Sequence, residues 1–426
     1  YNDPEYPKGQ SKNPLICPYA LDEEWQIALV CLSKMAGVEQ INVNANLPEV
    51  GVELTRKGFR YPTIEDAITL PNYENPYEMQ KEEWKLSQAA KEIDYHPDCV
   101  PGYVVNRPST FEEFQGKIMD SLTLLRMRYE LEDAWSKPDR GTDGGNQEII
   151  KTDASKEQIS DRINKMWDTK LNWVIEAKTH FFKVRIPVNG TENTFITAPS
   201  VHMINGEPRN TISLQLINNT TWCGNLICTR TTWERLVNTI DTSDSRIKKY
   251  PDIIRQLKEG YDLMPSALHN YVNAVNRSEK YKNGQVRGGA DLAIATLGGK
   301  FGHDKVVIAV QDNNARANGG ETAYALYDQA QNKHGKESEL ITRNLTPKVD
   351  FNKFSSQLPQ IIDQVNIIYG KNISINQVKL IGVSVGWAQI GMIGTDPIEI
   401  IQDILLLESQ LFKSGLIHIS DNANNK

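Results

Sequence analysis

The densest set of side chains able to hold an anion is Gln311-Asp312-Asn313-Asn314-Ala315-Arg316-Ala317-Asn318-Gly319-Gly320. It follows the apolar run Val306 to Val310, which reads as a strand, and precedes a helical pattern opening at Glu321. Such a link lies at the carboxyl end of the strand, where open α/β sheets place ligands. Gly319-Gly320 would let backbone N–H groups converge at the helix start, a natural seat for negative charge. Arg316 adds a planar, two-pronged donor. Asp312, Asn313, Asn314, Arg316, Asn318, Gly319 and Gly320 are therefore the expected anion- or partner-binding residues. The bland alternative is a long polar surface loop. No Walker lysine and serine accompany the stretch, and Gly-x-Gly-x-x-Gly is absent, so no motif points to a nucleotide enzyme.

Two other stretches resemble catalytic motifs. Gly382-Val383-Ser384-Val385-Gly386 follows the apolar strand Val378 to Ile381 and resembles the nucleophile elbow of α/β-hydrolases, in which a strand-to-helix turn exposes the serine. That resemblance implies an acid and then a histidine on later strands. Only Asp396, Asp403 and His418 follow, with essentially one helix and a tail. A glycine-rich strand allowing close backbone packing is the preferred reading. Pro138-Asp139 and Glu176-Ala177-Lys178 resemble the Pro-Asp and Glu-x-Lys signature of restriction-type nucleases, which implies magnesium held by two acids. That chemistry needs Glu176 and Lys178 on one face of a strand. The helical period starting at Ile159 runs through Val174 and sets the two about 200° apart on a helix. Solvated charges at a helix end are the preferred reading.

No two of the seven histidines stand four residues apart, and they receive no role. Cys223 and Cys228 have zinc-like spacing but no nearby ligands, so buried thiols are expected, and five irregularly spaced cysteines suit a reducing compartment better than a disulfide framework. No catalytic set, metal set or cofactor is assigned.

The chain has 426 residues and a net charge of −7, unevenly spread: residues 1–150 carry −11 and the remainder +4. An acidic front third does not suit nucleic acid or an anionic membrane, while the later balance permits anion contact. No apolar run reaches membrane-spanning length, and no signal peptide follows Tyr1, so a cytoplasmic location, or a particle assembled there, is expected.

The elements that must position these residues follow from periodicity. Residues 1–20, with four prolines, read as an extended arm. Residues 21–180 read as mainly helical, with starts at Asn75-Pro76 and at the capping boxes Ser109 to Glu112 and Ser155 to Gln158. Residues 38–62 and 97–108 read as irregular or extended. Residues 181–230 form an antiparallel β insert: Phe182, Val184, Ile186 and Val188 alternate, Asn189-Gly190 turns, and Ile212, Leu214 and Leu216 alternate again. Residues 231–284 are a helical connection. Residues 285–426 alternate strand and helix, predicting an α/β domain with a parallel or mixed sheet. The fold class is thus mixed α+β: a helical N-terminal half with an antiparallel β insert, then the α/β region.

An arm without helix or strand period orders only in a groove. With no complete catalytic set, the first expectation is a self-assembling structural protein, shell-like as in viruses or nucleic-acid-coating, its copies linked through residues 1–20. A phosphate- or nucleic-acid-binding module using residues 311–320 is the second. A metal-dependent nuclease or serine hydrolase is the third.

Overall fold

The computed structural model describes residues 15–16, 42–43, 46, 48–93, 100–140, 146–196, 198–204, 207–218, 221–315, 319–335, 338–384 and 387–418. It is a mixed α/β fold with antiparallel sheets. The first half builds a four-stranded sheet from β1 (Gly102–Val105), β2 (Asp133–Pro138), β3 (Glu148–Lys151) and β4 (Trp173–Ala177), in the order β1-β4-β2-β3. The hairpin β5 (Lys183–Val188) and β6 (Thr191–Ile196) turns at Asn189 and Gly190, whose φ values of 46° and 76° are those of a tight two-residue turn.

The large sheet takes β7 (Ala198–Ile204), β8 (Ile212–Asn218), β9 (Thr221–Cys228), β10 (Gly288–Thr296), β11 (Val307–Asn314), β12 (Glu339–Leu345), β13 (Val378–Ser384) and β14 (Trp387–Gly394). Their order is β11-β10-β7-β8-β9-β12-β14-β13, with short strands His180–Phe181 and Glu207–Pro208 at its margin. Every ladder between these strands is antiparallel, which corrects the expected parallel or mixed sheet. The connections explain it. β10–β11 and β13–β14 are hairpins. The helix after β11 carries the chain from the sheet edge to β12 in its interior, so it does not join neighbours as a βαβ crossover would. β14 itself was missed by periodicity, because Gly391 and Gly394 interrupt its alternation.

The main helices are α1 (Phe111–Tyr129), α2 (Ser160–Asp168), α3 (Ile253–Arg277), α4 (Gly319–His334), α5 (Phe351–Tyr369) and α6 (Pro397–Lys413). α1 buries Phe114, Ile118, Leu122, Leu125 and Tyr129, the face that its spacing predicts, and Thr110 caps it, one residue beyond the expected Ser109. α2 corrects the long helix read through Val174. It stops at Asp168, Lys170 turns with a φ of 59°, and the chain re-enters as strand β4. Trp173-Val174-Ile175 are bulky and β-branched types that fit a pleated surface. The segment read as mainly helical thus contributes a whole sheet. One continuous apolar cluster runs from Val50 to Ile417 and ties both sheets together.

The expected arm lies outside the described residues except Leu15–Ile16, which pair in parallel with Asn42–Val43 of the same chain. No described helix is long and apolar enough to cross a membrane.

Candidate functional site

Where β11 ends against the four-stranded sheet, an unusual number of charges is withdrawn from water. The ladder sets Asp291 of β10 directly opposite Asp312 of β11, and Ser200 of β7 directly opposite Asp291. Directly opposed residues share a face, so two carboxylates and a hydroxyl form one row. Asn314 donates to Asp291 Oδ2 at 3.0 Å, and Ser200 hydrogen-bonds the same carboxyl. Ser200 Oγ also lies 3.0 Å from Nε2 of the buried His202. Burial pushes that imidazole down to about 3, so it is neutral at physiological pH.

Cations approach from two other segments. The 3-10 turn Lys57–Arg60 brings Lys57 Nζ to 3.4 Å and the Arg60 guanidinium to 4.0 Å from Asp312. Arg60 also donates to the carbonyl of Gln311. Lys137 on β2 pairs with Glu176 on β4 at 2.5 Å, and Tyr61 donates to the other oxygen of Glu176 at 2.8 Å. Gln311 donates to Thr179 at 2.8 Å and links the large sheet to the chain leaving β4.

The electrostatics follow from this packing. Burial alone would raise the Asp312 carboxyl, and Lys57, Lys137 and Arg60 bring it below its ordinary value. Burial, and then the charge of Asp312, push Asp291 up to about 6. Lys137 loses hydration on burial, yet Glu176 and Asp312 hold its ammonium above the usual lysine value. Asp312 is thus a fixed anion facing three cations, with a second carboxylate beside it that is costly to ionise.

Among the described residues, no group of three or more His, Cys, Asp and Glu converges as a protein-only metal cage. Two carboxylates and an amide at one strand end suit a different arrangement. Magnesium usually keeps one or two protein carboxylates and takes its other ligands from phosphate and water. The hard oxygens of Asp291 and Asp312 fit that chemistry, and an ion between them would offset the like-charge repulsion that raises Asp291.

The structure redistributes the residues singled out in the sequence. Asp312, Asn313 and Asn314 are the last residues of β11, not a loop. Asn313 is buried and donates to Leu54 O at 3.3 Å and to Tyr271 Oη at 3.4 Å. Gly319 and Gly320 open α4, and Arg316 and Asn318 lie outside the described residues. Ser384 ends β13, which leads into β14 as an antiparallel hairpin with Ser384 opposite Trp387, so the chain makes no strand-to-helix elbow there. The reading of Glu176 and Lys178 as solvated charges at a helix end is corrected: Glu176 stands on strand β4, where it is fully buried and engaged by Lys137 and Tyr61. Asp139 is held by Arg56, and Lys178 faces Asp133 at 3.4 Å. Cys223 and Cys228 are buried thiols.

Sequence reasoning missed Lys57, Arg60, Lys137, Ser200 and Asp291. The first two lie in a stretch without period. Asp291 carried a usable signal: a lone acid in the otherwise apolar strand Gly288–Thr296.

No family model and no curated protein matches the chain. Solved structures do. Carboxyaminoimidazole ribonucleotide synthase from Aspergillus clavatus, complexed with ATP, matches at 11% identity over 90% of this chain and 79% of that one, with a TM-score of 0.44. An L-amino acid ligase from Bacillus licheniformis matches at 11% identity, covering 94% and 86%, with a TM-score of 0.38. D-alanyl-alanine synthetase A from Vibrio cholerae matches at 11% identity, covering 71% and 67%, with a TM-score of 0.31. These are ligases and synthetases. Those names stand against the expected non-catalytic, capsid-like subunit that assembles shells or coats nucleic acid.

Proposed function

We propose that this protein is an enzyme that binds a magnesium-chelated polyphosphate, with a nucleoside triphosphate as the first candidate, where β10 begins and β11 ends. The observation that carries the reading is the row Asp291–Asp312 on one sheet facing Lys57, Arg60 and Lys137 from outside it. Paired acids alone would repel a phosphate, and cations alone would need no acids. Both together match a ligand made of an anion and its metal.

Asp291 and Asp312 would hold the metal, which supplies charge neutralisation between phosphate oxygens. Asn314 and Ser200 fix the Asp291 carboxyl by hydrogen bonds, so its oxygens keep one orientation. Lys57 and Arg60 would face phosphate oxygens, Arg60 held in place by its bond to the Gln311 carbonyl. Lys137 sits on a strand, with its ammonium anchored by Glu176, and so presents a charge that need not reorganise. Phosphoryl transfer depends mainly on such positioning and charge.

The test is calorimetric titration with ATP, with and without magnesium, followed by a search for ADP release in the presence of carboxylate and amine acceptors. Magnesium-dependent binding that is lost in Asp312→Asn supports the reading. A folded protein that binds no magnesium–ATP at millimolar concentration overturns it.

A further inference from the structure

We infer that Asp139 is a positioning residue that locks the Lys57–Arg60 turn to the strand bearing Lys137, and so sets the spacing of the three cations. The inference rests on the phosphate reading of the same site. Asp139 directly follows β2 and is 3% exposed. Its Oδ2 accepts from Arg56 Nε at 2.9 Å, and its Oδ1 accepts from the Gly58 N–H at 2.7 Å. Its carbonyl accepts from the Lys57 N–H at 3.0 Å, and its own N–H donates to Asn172 O at 2.9 Å. One residue thus ties three consecutive positions, 56 to 58, to the end of β2. Lys57 and Arg60 extend from that tied turn, while Lys137 lies two residues before Asp139 on the strand.

The contact is close enough to demand glycine. A Cβ at Gly58 would stand 2.8 Å from Asp139 Oδ1 and 2.9 Å from Val104 Cγ2, both too near. The turn has no side-chain cap of its own; its internal backbone bonds, Phe59 N–H to Arg56 O and Tyr61 N–H to Gly58 O, shape it, and Asp139 ties it to β2. Asp139 holds Lys57 through its backbone, and the partners of its carboxylate are not among the groups proposed to meet ligand. Its carboxylate is spent on Arg56 and Gly58, which separates its role from metal binding.

The experiment compares magnesium–ATP binding by the whole protein, Asp139→Asn, Arg56→Gln and the double variant, across a salt series, with the thermal midpoint measured in parallel. Asn at 139 still accepts from Gly58 but loses the ion pair, and Arg56 is partly exposed, so Arg56→Gln carries the test should Asp139→Asn fail to fold. Misplaced supporting groups typically cost about 10- to 100-fold in affinity. Each single variant should weaken binding by about tenfold or more, with a shallower salt dependence, read at a temperature well below its own thermal midpoint so that the loss is not one of folding. The double variant should be no worse than the weaker single one. If the parent shows no binding, the phosphate reading itself fails. If the parent binds and both single variants match its affinity and salt dependence, the positioning role alone is overturned.

Discussion

Asp291 and Asp312 stand directly opposite one another across the β10–β11 ladder, on one face of the sheet. Like charges opposed in this way destabilise a sheet, so the pair is a local cost that the rest of the site must offset. Asp291→Asn should therefore stabilise the fold at pH 8 without metal, by on the order of 1 kcal/mol. The same change should weaken magnesium–ATP binding at least tenfold. Denaturation and calorimetry on one preparation read both. A variant that gains stability and keeps full affinity would remove Asp291 from the ligand site.

Lys137 and Glu176 are both buried, 2.5 Å apart. Removing one member of a buried pair strands the other, typically at about 3–5 kcal/mol. Lys137→Met should lower stability by that order, and adding Glu176→Gln should recover part of it. Chemical denaturation of the four proteins in the cycle measures the coupling. Additive effects would show that the two charges do not depend on each other.

Glu339 at the start of β12 lies away from the cluster. Burial pushes its carboxyl from an ordinary 4.5 up to about 7, although Thr232 donates to it. The folded chain then holds a proton that the unfolded chain has released. Stability should fall as pH rises from about 4.5 to about 7 and level off above that, by up to about 3 kcal/mol. Glu339→Gln should flatten that part of the profile. An unchanged slope in the variant would assign the dependence to another group.

Gly224 in β9 has a φ of 144°, and a Cβ there would stand 2.0 Å from the carbonyl oxygen of Thr342 on β12. Gly224→Ala must strain its backbone and push two central strands apart. The expected loss is on the order of 3 kcal/mol, read from the shift in denaturation midpoint. A near-neutral result would mean that the β9–β12 contact is looser than its register implies.

Local pattern by itself determined the elements whose causes are local. The α1 face from Phe114 to Tyr129 follows from spacing, because a helix presents every third or fourth residue to one side. The Asn189-Gly190 hairpin follows from turn chemistry, because few other pairs accept two positive φ values. Ser384 could likewise be set aside on chain order before its hairpin was seen. Period alone failed at Trp173–Ala177, where a helical pattern carried on across a break at Lys170 that only the backbone reveals.

Tertiary structure decided the rest. Strand direction in the large sheet depends on which strands become neighbours, and a βαβ order in sequence is silent on that when the helix spans the sheet instead of joining adjacent strands. The candidate site is tertiary in the same sense. Lys57, Lys137, Asp291 and Asp312 lie far apart in the chain, each in a segment with no motif of its own. Asp312 was legible as a strand-end acid. Its significance came from Asp291 opposite and three cations in front, because charge interactions depend on distance in space and not on separation along the chain.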